Sequence, residues 1–176
     1  SSGSLLMNAA AKIDAGAGEI HLRAAGEVRV THVMTSSDLF VTSTHGGITD
    51  AGDLSPFDLS ATRLVLRSAY GIGSTNPLET LVETLSARNS QSGQIRLQNQ
   101  TGAVMEVGTF DGVIGIQQLG TGLGGIELSN DASLLVNSSI VSLSGGSITL
   151  TADSGVGTAD LTINAPLAAA GPQGFI

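Results

Sequence analysis

The sequence predicts an all-β chain folded as a parallel β-helix, a solenoid of short strands stacked coil on coil. Three observations predict it. One pattern is written several times: a glycine, an exposed residue, then an aliphatic-polar-aliphatic triplet, as in Gly18-Glu19-Ile20-His21-Leu22, Gly26-Glu27-Val28-Arg29-Val30, Gly93-Gln94-Ile95-Arg96-Leu97 and Gly146-Ser147-Ile148-Thr149-Leu150. Gly125-Ile126-Glu127-Leu128 is the same pattern one residue shorter. Related phrases also recur at intervals of a coil: Gly26 and Gly47 are 21 residues apart, as are Gly125 and Gly146, and Leu134–Ile140 resembles Leu161–Leu167 at an offset of 27. Coils of about 20–27 residues, each with three short strands and three corners, have this periodicity. Finally, 41% of residues are apolar but only 3% aromatic, with no Trp and 24 glycines. Such a composition suits a thin aliphatic core with many turns.

Each repeated phrase is a strand with one dry and one wet face, because successive side chains alternate across a strand. One copy cannot bury its dry face, but stacked copies can. The expected inward residues are Ile20, Leu22, Val28, Val30, Leu64, Leu66, Ile95, Leu97, Ile126, Leu128, Ile148, Leu150, Leu161 and Ile163.

In chain order, Leu5, Leu6, Ala9 and Ile13 would suit a short helix and equally a strand pair before the turn Asp14–Gly18, and the strands that follow favour the pair. Strands follow at Glu19–Arg23, Glu27–His32 and Asp38–Thr42, with Thr44–Pro56 mostly loop. Arg63–Arg67 resumes the alternation with both arginines outward. Leu66–Ser74 also resembles Leu150–Thr158, as if the two were equivalent parts of a coil. Asn76-Pro77-Leu78-Glu79 has the residues of a helix start: an N-cap, a first-turn proline and a capping-box glutamate. A helical turn is expected at Pro77–Val82, with strand resuming at Leu85–Asn89.

Seven basic and fifteen acidic residues give a net charge of −8. Every Lys and Arg lies at or before Arg96, whereas residues 101–176 carry six carboxylates and no cation. A nucleic-acid backbone would be repelled, so nucleic acid is not an expected partner. The mean hydropathy of +0.27 argues against a charge-rich disordered chain. No aliphatic stretch reaches the roughly 18 residues of a membrane span. With no cysteine, disulfides and thiolate metal sites are excluded. Ser1-Ser2-Gly3-Ser4 lacks the basic and apolar regions of a signal peptide. The chain is therefore expected to be a mature product or a piece of a longer polypeptide, with residues 1–176 forming one solenoid segment.

Gly71-Ile72-Gly73-Ser74-Thr75-Asn76-Pro77-Leu78-Glu79-Thr80 with Val82–Ala87 resembles a phrase of very large bacterial exoproteins of the filamentous-haemagglutinin type. Asp111-Gly112-Val113, Gly146–Ala152 and Asp160–Pro166 are similar to other phrases of those repeats. The resemblance covers roughly residues 60–176, and residues 1–59 share only its style. It implies a right-handed parallel β-helix, an extracellular or cell-surface location, and a structural or adhesive role in a stalk or fibre. The partners it implies are flanking solenoid repeats, or other copies of the chain end to end, with host or matrix glycans and proteins as further ligands.

Candidate sites are few. Gly120–Gly125 matches G-x-G-x-x-G, but a strand rather than a helix follows it, so a turn is expected. His21, His32 and His45 lack metal-ligand spacing. Asp50, Asp53 and Asp58 form a loose acidic cluster near Pro56. Three carboxylates could hold Ca²⁺, and this loop is also where a polysaccharide-cleaving activity would sit; a solvated loop is the reading taken here. Asn99 and Asn137 each open an Asn-x-Ser/Thr triplet. Neither an enzymatic activity nor a cofactor is expected. The alternatives are a carbohydrate-binding or polysaccharide-cleaving β-helix and a head-to-tail filament subunit.

The core assignment gives a first test. Ile148→Asp would bury an unpaired carboxylate and should cost about 3–5 kcal/mol, seen as a large drop in thermal unfolding temperature. Unchanged unfolding would contradict the β-helix.

Overall fold

The computed structural model describes residues 3–52, 55–122, 124–143, 145–155 and 157–170. All of its regular structure is β-strand, and nearly every pairing is parallel. Among the described residues no helix is long and apolar enough to cross a membrane. The strands stack as a β-solenoid of about six turns.

One face shows the stacking most simply. Leu5, Val28, Ile48, Ile72, Ile95, Ile126 and Ile148 follow one another in register at steps of 20–31 residues. Their strands are Leu5–Leu6, Val28–Val30, Ile48–Asp50, Ile95–Asn99, Ile126–Asn130 and Ile148–Ala152, and Ile72 contributes a single bridge. From Val28 to Ile148 this row is buried, an aliphatic column one side chain wide. The 31-residue step encloses an antiparallel hairpin, Thr109–Phe110 with Val113–Ile114, which leaves the stack and folds over its outside. Asp111 and Gly112 turn it with φ of 48° and 74°, the left-handed pair required by a two-residue I′ turn.

The other two faces of the early coils are Ile13–Asp14 on Val33–Met34, and Ile20–Ala24 on Asp38–Ser43. The strand Leu59–Ser68 runs across both. Leu78–Asn89 pairs with it along nearly its whole length. On its other side Leu78–Asn89 receives Ile95–Asn99, Met105–Val107 and Ile116–Gln118 in turn. Leu134–Val136 then pairs with Leu161–Ile163, and Ile140–Ser142 with Leu167–Ala169.

The helical turn expected at Pro77–Val82 does not form. Leu78, Thr80 and Val82 alternate inward and are buried, while Leu81 and Glu83 point out. The apolar spacing fits both readings locally, but the strand gains a hydrogen-bonded neighbour on each side. Tertiary pairing outweighs local propensity here. Thr44–Pro56 likewise contains a strand, Ile48–Asp50.

The 27-residue offset is a true coil repeat, since Leu134 pairs with Leu161 and Ile140 with Leu167. The two 21-residue glycine spacings are each one residue out: Val28 pairs with Ile48, and Ile126 with Ile148. The likeness of Leu66–Ser74 to Leu150–Thr158 is not a coil repeat either, because Leu66 and Leu150 stand on different faces. Leu161 and Ile163 continue the inward rows of Leu134 and Val136, yet are 41% and 46% exposed. No described strand pairs with their far side.

Inside two corners the rows are polar. Asn99 sits between Thr80 and Asn130: its Oδ1 accepts from Thr80 Oγ1 (2.9 Å) and the Val82 N–H (3.0 Å), and its Nδ2 donates to Asn130 Oδ1 (2.9 Å). At another corner Ser43, Ser68, Asn89, Gln118 and Ser142 are stacked and buried. Asn89 Nδ2 donates to Gln118 Oε1 (2.8 Å), and Gln118 Nε2 donates to the Gly93 carbonyl (2.7 Å). Asn99 is thus an interior residue, not an exposed glycosylation acceptor; Asn137 is exposed. Asn99→Ala would strand several buried polar groups, each costing about 1–3 kcal/mol. Urea unfolding should show a loss of at least about 2 kcal/mol, against almost none for its outward neighbour in Gln98→Ala.

Candidate functional site

Two clusters gather the chemically capable side chains. The first is acidic. Asp50 ends a strand on one face, Asp58 precedes Leu59–Ser68, and Glu79 lies in Leu78–Asn89 beside it. Their carboxylate oxygens lie within 4.8 Å of one another. Of the three residues expected to cluster, the structure brings together Asp50 and Asp58; Asp53 lies outside the described residues. Glu79 was not anticipated, because its position suggested a helix cap. Its signal was spacing: Glu79 is 21 residues beyond Asp58, the same interval that pairs Leu59 with Thr80.

Donors surround this cluster. The Gly52 N–H and Asn76 Nδ2 both donate to Asp50 at 2.7 Å, and the Glu79 N–H donates to Asp58 Oδ2 at 3.1 Å. Asp58 is 3% exposed. Burial, then the Asp50 charge and hydrogen bonds with Asp50 and Glu79, push its carboxyl up to about 9. At neutral pH Asp58 therefore keeps its proton and shares it with its neighbours. Ca²⁺ requires six to eight oxygen ligands, whereas Asp50 is held by the N–H groups of Gly52 and Asn76 and by the carboxyl of Asp58. The cluster can store a proton, but its buried member is shielded from a bulky substrate.

The second cluster is basic and aromatic, on the outward face of Asp38–Ser43, Leu59–Ser68 and Leu78–Asn89. Arg63 donates two hydrogen bonds to Asp38, at 2.7 and 2.6 Å. Its guanidinium lies 4.0 Å from the ring centroid of Phe110 on the hairpin. Phe110 is 5.7 Å from Phe40, which stacks on His21 at 4.4 Å. The hairpin covers Val65, which points outward yet is fully buried. Arg67 donates to the carbonyl of Asp111 and, at 2.6 Å, to its carboxylate. Arg88 pairs in register with Arg67 and is exposed. The alternation at Arg63–Arg67 had placed both arginines outward; the hairpin and Arg88 were missed. Their signals were Asp-Gly between alternating residues and the 21-residue step from Arg67 to Arg88.

A groove of about 320 Å³ runs between Thr42, Thr44, Arg67, Arg88, Ser90 and Val113. A larger one, about 470 Å³, is lined by Met34, Ser60, Leu81 and Thr101, with Asp14 and Glu83 at its sides. The Gly16 N–H, then Lys12, holds the Asp14 carboxyl below its usual range.

The histidines are dispersed. His21 lies against Glu19, His32 against Ser55 and His45 against Thr44. Gly120 and Gly124 serve close packing: a Cβ at Gly120 would strike the Gln91 carbonyl, and one at Gly124 the Gly93 carbonyl. Leu123 of that motif lies outside the described residues, and the strand Ile126–Asn130 follows. Compared with protein-family models, curated proteins and solved structures, the chain matches none.

The acidic cluster yields a pH signature. Asp58 in the unfolded chain ionises near its ordinary value of 3.8, and in the folded chain near 9. Between these values the native state holds the extra proton, so stability falls as pH rises, by at most about 1.4 kcal/mol per unit. Chemical unfolding at pH 5, 7 and 9 should show that decline, and Asp58→Asn should flatten it and be the more stable at pH 9. Stability that rises with pH over this range would contradict the protonated Asp58.

Proposed function

We propose that this chain is a structural and adhesive solenoid segment of a large secreted or cell-surface bacterial exoprotein, a length of stalk that presents an outer surface to glycans or matrix proteins. The observation that carries the reading is the unbroken register from Leu5 to Ile148 on one face. A stack whose interior is tied together coil by coil makes a stiff rod, and its outward residues and loops remain free to vary. The resemblance of Gly71–Ala87 and Gly146–Ala152 to exoprotein repeats supports the same reading. So do the exposed Leu161 and Ile163, whose rows can accept a further coil or another copy of the chain.

The polysaccharide-cleaving alternative is less well supported. A glycosidase needs an acid and a base or nucleophile that both reach the bond, and Asp58 is buried and protonated.

The test is retention against turnover. The chain is incubated with a panel of immobilised polysaccharides and matrix proteins, and both bound protein and released reducing ends are measured. Retention without release is expected. Release of reducing ends that disappears in an Asp50→Asn, Glu79→Gln double variant would overturn the structural reading in favour of an enzyme.

A further inference from the structure

The basic face carries more than the stalk reading requires. Four of the chain's six arginines, Arg23, Arg63, Arg67 and Arg88, project from one face of a protein with a net charge of −8. Arg23, Thr42, Arg67 and Arg88 occupy successive positions of a single outward row. Neighbouring parallel strands are about 4.8 Å apart, so Arg67 and Arg88 hold two like charges side by side, an unfavourable cross-strand pair.

The protein's own carboxylates answer part of that charge. Asp38 takes the fork of Arg63, and Asp111, from the hairpin turn, takes Arg67. Arg88 has the same planar fork and is exposed at the groove. The groove's other polar walls are hydroxyls, from Thr42, Thr44 and Ser90.

We propose that this groove binds the carboxylate of an acidic saccharide, a uronic or sialic acid residue, with Arg88 gripping the carboxylate. The hydroxyls of Thr42, Thr44 and Ser90 meet the sugar's hydroxyls. A planar carboxylate matches a guanidinium in two-pronged fashion, as Asp38 already does at Arg63. The inference rests on the adhesive reading and names its ligand class.

The test uses the whole chain with sialyllactose and polygalacturonate as probes, each set against its carboxyl-reduced form and against polyglutamate, by calorimetry at low salt. Both acidic saccharides are expected to bind, and the reduced forms and polyglutamate to bind much more weakly. Arg88→Gln should weaken binding about tenfold or more, with Arg88→Lys intermediate. Ser90→Glu, which places a carboxylate in the groove, should block it, whereas Arg96→Gln on another face should leave it unchanged. Equal binding of the reduced saccharides, equal binding of polyglutamate, unaltered affinity in Arg88→Gln, or no binding of either acidic saccharide would overturn the proposal. Retention of Arg88→Gln on neutral glycans or matrix proteins would leave the adhesive reading standing.

Discussion

At two corners of this solenoid the backbone turns against neighbouring coils, and the carbonyls and N–H groups caught there are shut away from water. A buried polar group left without a partner costs more than most single contacts return. The chain meets this with side-chain amides, which donate and accept at once. Asn99 bridges Thr80, the Val82 backbone and Asn130, and Asn130 passes its own amide on to the Ala103 and Ser133 carbonyls. Asn89 accepts from the Gly71 N–H and donates to Gln118. These ladders fix where each coil must turn. The aliphatic columns beside them then come into register even though successive coils differ in length by several residues.

With the interior fixed, length variation is confined to the outside. The coil with the longest step on the first face spends its additional residues on the hairpin Thr109–Ile114, and the rows of Ile95 and Ile126 meet as if nothing had been inserted. The hairpin also changes the surface, burying Val65, placing Phe110 over Arg63 and bringing Asp111 to Arg67. The same separation between fixed interior and variable exterior sets the outward ion pairs. Arg96 and Glu127 face each other on stacked strands because Ile95 and Ile126 are locked beneath them.

The interior was largely legible in the sequence, and the exterior largely was not. Ile95, Leu97, Ile126 and Leu128 declare an inward row because strand alternation is local and needs no partner. Leu134 and Leu161 declare a coil because whole phrases recur. Glycine spacing misled by one residue, since a corner can take its glycine on either side of the turn. Leu161 and Ile163 were correctly placed on their rows but not in burial, which depends on what lies on the far side. The Pro77–Val82 segment failed for a different reason: its cap residues and apolar spacing describe a helix, and only the strands on both sides decide otherwise. Asp50, Asp58 and Glu79 meet only once coil registers are known, so a search along the sequence found two of the three.

Register also explains why the two clusters differ in chemistry although they arise in the same way. Stacked coils place residues 21 apart side by side on this part of the structure, and twice those residues carry like charge: Asp58 with Glu79, and Arg67 with Arg88. A carboxyl pair can relieve its repulsion from within. Burial disfavours two negative charges, one proton is retained, and the pair becomes a hydrogen-bonded unit with one net charge. A guanidinium pair has no such exit, because arginine keeps its proton at any pH where the fold survives. Its repulsion can be reduced only by an anion from elsewhere. Asp111 supplies one for Arg67, at the cost of a left-handed non-glycine residue in the hairpin turn. The strand geometry that lets the acidic pair close on itself thus leaves the basic pair dependent on an external negative charge, and it holds Arg88 where such a charge can reach it.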